Sequence, residues 1–106
     1  MIVLDKLGVA DKIKEALETV FDPEIPVNIV ELGLVYEVLT KEDGTAKVVM
    51  TLTAPNCPVA DGIINEVQEK VEAVENVKDA LVELTFDPPW DKSMMSDEAR
   101  LELGFM

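Results

Sequence analysis

From Val9 to Val20 apolar residues recur every three to four positions, with Ile13, Ala16, Leu17 and Val20 on one side and Asp11, Lys12, Lys14, Glu15 and Glu18 on the other. That period predicts an amphipathic helix. It stops near Phe21, because Asp22 precedes Pro23 and a residue before proline is pushed out of the helical region. Pro26 likewise keeps Ile25 extended, so Asp22 to Val27 reads as a stiff loop. Asn28 is a plausible cap for a short turn to Leu32, and Gly33 then releases the chain into Leu34–Leu39, whose β-branched and aromatic residues predict a strand. The turn signal Glu42-Asp43-Gly44-Thr45 separates that strand from Ala46–Thr53, so the pair should form an antiparallel hairpin. Val48, Met50 and Leu52 fall on the face expected to meet the core, and Lys47, Val49, Thr51 and Thr53 on the other.

A second helix is expected from Pro58 to about Glu75, with Ile63, Ile64, Val67, Val71 and Val74 as its apolar stripe and Asn76 as its stop. Leu81 to Phe86 reads as a third strand, ended by Asp87-Pro88-Pro89 because proline cannot donate to a ladder. A final helix should run from about Ser93 or Ser96 to Leu103, capped by one of the serines and closed by Gly104. The order α-β-β-α-β-α predicts an α+β fold: a small mixed three-stranded sheet with helices packed on one face, and a parallel crossover through the second helix. At 106 residues, a single domain over 1–106 is expected.

Composition narrows the chemistry. The net charge of −13, from 22 acidic against 9 basic residues, repels nucleic acid and anionic lipid, and neither is expected as a partner. The acidic residues are spread along the chain, as on solvated helix faces. The opening Met-Ile-Val-Leu-Asp-Lys meets charge too soon for a signal peptide, and no apolar run is long enough to span a membrane, so a cytoplasmic setting is expected. A single cysteine leaves no intramolecular disulfide. The absence of histidine removes the commonest general base and metal ligand together. Triad catalysis is excluded, and one chain cannot supply the four soft ligands of a structural zinc or a stable cluster.

The lone Cys57 lies between Asn56 and Pro58. With Pro58 as first helical residue, its sulfur sits at the N-cap, near unpaired amides and the positive end of the helix dipole, where a thiolate is favoured. Asp61, in the first turn, opposes this with its own charge. The plain alternative is a small buried hydrophobe. Cysteine is, however, a poor cap, and its use there asks for a reason other than helix stability. Asp22 and Glu24 place two carboxylates in the stiff loop, where helix-stop chemistry is the simpler explanation. Thr53 could hydrogen-bond near Cys57 or serve as ordinary strand packing. Trp90, beside two prolines, reads as a packing anchor for the last helix.

Three separated runs, Asp22-Pro-Glu-Ile-Pro-Val-Asn-Ile-Val-Glu-Leu-Gly-Leu-Val-Tyr36, Met50-Thr-Leu-Thr-Ala-Pro-Asn-Cys-Pro-Val-Ala60 and Asp87-Pro-Pro-Trp-Asp-Lys-Ser-Met-Met-Ser96, resemble the SufT-like family. That family includes the phenylacetate-pathway protein PaaD and the eukaryotic cytosolic iron–sulfur targeting factors. The likeness spans nearly the whole chain. It implies an iron–sulfur cluster assembly domain fold and a non-catalytic role in cluster assembly or delivery. The functional thiol would be Cys57, supported by Asp22, Glu24 and Thr53. Some members carry a second threonine where this chain has Ala54, so a role for that hydroxyl does not carry over. PaaD-like members extend further and carry additional cysteines, and without those this chain resembles the SufT-like branch. The implied cargo is a transient iron–sulfur cluster or iron, none of it tightly bound, with Cys57 as a ligand shared between chains, for instance in a homodimer. The implied partners are iron–sulfur assembly proteins and client apoproteins. Two other readings stay open: a metal-free scaffold docking clients around Asp22, Glu24 and the final helix, and a thiol enzyme, disfavoured by the lack of a resolving cysteine or histidine base.

Overall fold

A computed structural model of the chain describes residues 2–21, 27–52, 60–87 and 89–104. The elements are β1 (Ile2–Asp5), α1 (Ala10–Leu17), β2 (Val35–Thr40), β3 (Thr45–Met50), α2 (Ala60–Glu72), β4 (Asp79–Leu84) and α3 (Asp97–Glu102), with a 3-10 turn at Lys92–Met94 before α3. The strands form one mixed sheet in the order β1-β2-β3-β4. The β2–β3 pair is the expected antiparallel hairpin, and β4 joins β3 in parallel through α2, as the crossover predicts.

The expected three-stranded sheet is corrected to four strands, and the order to β-α-β-β-α-β-α. The missed strand is β1, which pairs in parallel with β2, Ile2 against Glu37 and Leu4 against Leu39. Its three apolar residues show no alternation, and Ile2 and Leu4 remain 58% and 62% exposed at the sheet edge, so local pattern carries no strand signal. Only pairing with residues more than thirty positions away makes it a strand. The fourth strand starts two residues earlier than expected, because Lys78 donates its amide to the Gly44 carbonyl at 2.8 Å and sets Asp79 opposite Thr45. Here sheet pairing overrides the poor strand propensity of aspartate.

Ile13, Leu17, Val67 and Val71 from the two helices meet Val38, Val48 and Met50 from the sheet in one core. Both helical stripes are as the period predicts. α1 ends at Leu17 rather than Val20, where the Thr19 hydroxyl donates to the Ala16 carbonyl at 2.6 Å and the Val20 amide turns to Leu17. α2 ends at Glu72 rather than at about Glu75, where the Val74 amide turns to the Val71 carbonyl at 3.1 Å, and Asn76 closes the turn beyond it with φ +76°. Ser96, of the two serines considered, caps α3, accepting from the Ala99 amide at 3.1 Å.

The start of α1 has no side-chain cap of its own at Val9. Asp5, at the end of β1, takes that part: its carboxylate accepts the Gly8, Val9 and Ala10 amides at 2.9, 3.1 and 2.8 Å and the Thr40 hydroxyl at 2.7 Å. Thr40, buried, accepts the Leu7 amide in turn at 3.0 Å. One carboxylate thus ties β1, β2 and α1 together. Burial pushes this carboxyl up, but the Thr40 hydroxyl and the three amides outweigh it and hold it below the ordinary aspartate value. A folded-state value below the unfolded one contributes stability that is complete above the unfolded value and is lost as pH falls through the folded one. Asp5→Ala should therefore cost about 1–2 kcal/mol near neutral pH. Denaturant titrations at pH 7 and pH 3 check this: the gap between parent and variant should narrow in acid, and a gap that widens there would contradict the assignment.

Candidate functional site

Asp22, Glu24, Thr53 and Cys57 all lie outside the described residues, as do Ala54 and Pro58. The structure does define the frame from which their two segments spring. Residues 22–26 lie in the chain between Phe21 and Val27. Those ends are closed on each other by an antiparallel bridge between Phe21 and Asn28 and by the Ile29 amide donating to the Val20 carbonyl at 2.9 Å. Val20, Val27 and Ile29 are buried, so both ends are fixed. Residues 53–59 leave from Thr51 and Leu52, both buried, and lead into α2, whose Ile63 and Val67 anchor it in the core.

Both frames meet in the turn from Asn28 to Leu34. The Asn28 side chain caps it as expected, accepting the Val30 and Glu31 amides at 3.0 Å each. At its far end the Leu34 carbonyl accepts the Thr51 amide at 2.8 Å, while the Leu34 amide donates to Ile29 at 3.0 Å. One turn therefore carries the return end of the first segment and the departure end of the second.

That turn is buttressed by the C-terminal segment. The Trp90 indole donates to the Leu32 carbonyl at 2.7 Å, so the tryptophan pins the chain to this turn as well as packing on the core. The Ser96 amide donates to the Glu31 carbonyl at 2.8 Å and its hydroxyl to the Glu31 carboxylate. Gly33, at φ +78°, lies so close to Met94 that a β-carbon would stand 2.2 Å from the Met94 carbonyl oxygen. The third sequence run, Asp87–Ser96, thus acts on the first through the turn beneath it.

Thr51 is completely buried although its strand face was expected to be the outer one. At this end of the sheet the outer face is closed by Tyr36, whose hydroxyl reaches the Met94 sulfur at 3.6 Å. Burial pushes the Tyr36 phenol up, and the neighbouring Thr51 hydroxyl only partly offsets this. The Thr51 hydroxyl is close to the phenol yet makes no hydrogen bond of good geometry. Tyr36, Thr51, Glu31 and Ser96 were not singled out from sequence as site neighbours. A register shift between Val35 and Glu37 re-aims the strand at Tyr36, and such irregularities leave no mark in an alternation pattern. Among the described residues, no three acidic side chains converge closely enough to hold a metal ion. No described helix is long and apolar enough to cross a membrane.

Comparison with known proteins gives this frame a family. Residues 10–84 match the family model described as iron–sulfur cluster assembly protein. The chain is 56% identical over 100 residues to an Fe–S protein maturation auxiliary factor of Porphyromonas gingivalis, covering 94% of this chain and 95% of that one. It is 41% identical over 85 residues to the Fe–S protein maturation auxiliary factor SufT of Staphylococcus aureus, covering 80% of this chain and 97% of that one. A solved domain of unknown function from Bacillus anthracis superposes with a TM-score of 0.85 at 39% identity, over 91% of this chain and 92% of that one. Matched by the model across three of its four strands and both long helices, and by relatives over nearly their full length, the chain belongs to the iron–sulfur cluster assembly protein family.

Proposed function

We propose that this chain is an accessory factor in iron–sulfur cluster assembly or delivery to client apoproteins, a cytoplasmic single-domain protein that performs no catalytic step itself. Cys57 is its working group, with Asp22, Glu24 and Thr53 in support. The observation that supports this reading is the shared turn: residues flanking the segment with the two carboxylates and residues flanking the segment with the thiol are both tied to Asn28–Leu34, by the Ile29–Val20 and Thr51–Leu34 hydrogen bonds. Family membership supports the same role.

Iron or a cluster is cargo here. A thiolate is the ligating form of cysteine, and one sulfur with no imidazole is too few ligands for stable retention. Cys57 therefore holds cargo only with ligands from a second copy, a small thiol or the client, which suits transfer. The carboxylates of Asp22 and Glu24 supply negative charge and acceptor oxygens.

The competing reading is a metal-free scaffold. Pull-down of a client apoprotein separates the two. On the thiol reading, Cys57→Ser keeps the client bound but leaves it without cluster. If Cys57→Ser loads the client as well as the parent and Glu24→Ala alone releases it, the chain is a scaffold and the sulfur is idle.

A further inference from the structure

The helices cover one face of the sheet, and the other carries a groove of about 820 Å³ that ends against Gly33, Tyr36 and Met94. Strand register sets a row across its base: Ile2 beside Glu37, Glu37 beside Val49 and Val49 beside Glu83. Apolar and acidic side chains thus alternate across four strands on one face. Leu84 and Met94 extend the apolar lining, and Asp87 adds a third carboxylate.

The apolar part is open to solvent at Ile2, which is 58% exposed, and the next row on this face adds Leu4 and Leu81 at 62% and 53%. Large exposed aliphatic residues at both edges of one sheet face, Ile2 and Leu4 on β1 and Leu81 on β4, mark an interaction surface. Its charge selects the occupant. Lys47 pairs with Glu83 at 3.4 Å, while Glu37 and Asp87 have no basic partner among the described residues. A second copy would bring the same carboxylates against these, on a chain already at −13. Nucleic acid and anionic lipid are repelled for the same reason.

We infer that this groove docks a cationic amphipathic segment of a partner protein, its aliphatic side chains over the exposed Ile2, Leu4 and Leu81 and its lysines or arginines against Glu37, Glu83 and Asp87. The inference does not depend on the role proposed for the thiol. Electrostatic attraction sets the approach and excludes acidic partners, while the apolar strip sets the register.

The test uses blocked twelve-residue helical peptides and the intact protein, with calorimetric titration at physiological salt. A peptide with leucines on one face and lysines on the other should bind. Its alanine-for-leucine counterpart, equal in charge, should bind at least tenfold more weakly, and its glutamate-for-lysine counterpart not at all. Neutralising the rim by Glu37→Gln, Glu83→Gln and Asp87→Asn together, or removing the aliphatic contact by Ile2→Ser, should weaken the leucine–lysine peptide at least tenfold. Neutralising the exposed Glu15, Glu69 and Glu75 on the helical side should change it little. Equal weakening by both charge sets, equal binding of the alanine peptide or no binding of any peptide would overturn the inference. So would a concentration-dependent dimer in sedimentation that Ile2→Ser abolishes, since the face would then belong to a second copy.

Discussion

Gly33→Ala is expected to lower stability by about 2–4 kcal/mol, the largest loss for so small a change in this fold. Two costs combine. The residue sits at φ +78°, where any side chain is strained, and the added β-carbon would come within 2.2 Å of the Met94 carbonyl oxygen, which is backbone and cannot swing aside. Relief requires the 3-10 turn at Lys92–Met94 to move off the Asn28–Leu34 turn, and the Trp90–Leu32 and Ser96–Glu31 hydrogen bonds go with it. Gly8 supplies the control, since it has nearly the same dihedral, φ +81°, but nothing within 4 Å of its would-be β-carbon. Gly8→Ala should therefore cost only the backbone strain, about 1 kcal/mol. Equal melting temperatures for the two variants would mean that the contact with Met94 is not what demands glycine. Hydrogen exchange at residues 92–96 should rise in Gly33→Ala and stay at the parent level in Gly8→Ala.

Cys57→Ser should reduce cluster loading of a client roughly tenfold or more, because a serine hydroxyl neither ionises near neutral pH nor ligates a soft metal as a thiolate does. The substitution is close to isosteric, and the chain offers no second cysteine and no histidine to take over. Stability should stay within about 0.5 kcal/mol of the parent, since serine serves the expected N-cap position at least as well as cysteine. Loss of loading with stability intact separates a working sulfur from a packing one. A large fall in melting temperature would instead identify Cys57 as a core residue.

Helical and hairpin periods were legible because each depends on neighbours a few positions apart: Ile13 and Leu17, Val67 and Val71, Val48 and Met50 are all buried as their spacing predicts. What escaped the pattern depends on distant pairing. β1 exists only through β2, the start of β4 only through the Gly44 carbonyl, and the cap of α1 is an aspartate five residues upstream on another element. The site divides the same way. The three sequence runs carry the family, but the reason they belong together is the turn at Asn28–Leu34, where the first meets the second through Leu34 and Thr51 and the third through Leu32 and Trp90. Trp90 was readable as an anchor by its size and its prolines, whereas the carbonyl it grips is a backbone atom that no residue type announces. Burial of Thr51 has the same origin, since only the fold brings Tyr36 and Met94 over the end of its strand.

Anaerobic reconstitution with ferrous iron, sulfide and a small thiol, read by visible absorption and by iron per chain, tests most directly whether Cys57 handles the cargo. The parent should gain a charge-transfer absorption and iron at less than one cluster per chain, both lost in Cys57→Ser. Identical spectra and iron content in the two proteins would contradict a role for this sulfur in binding iron.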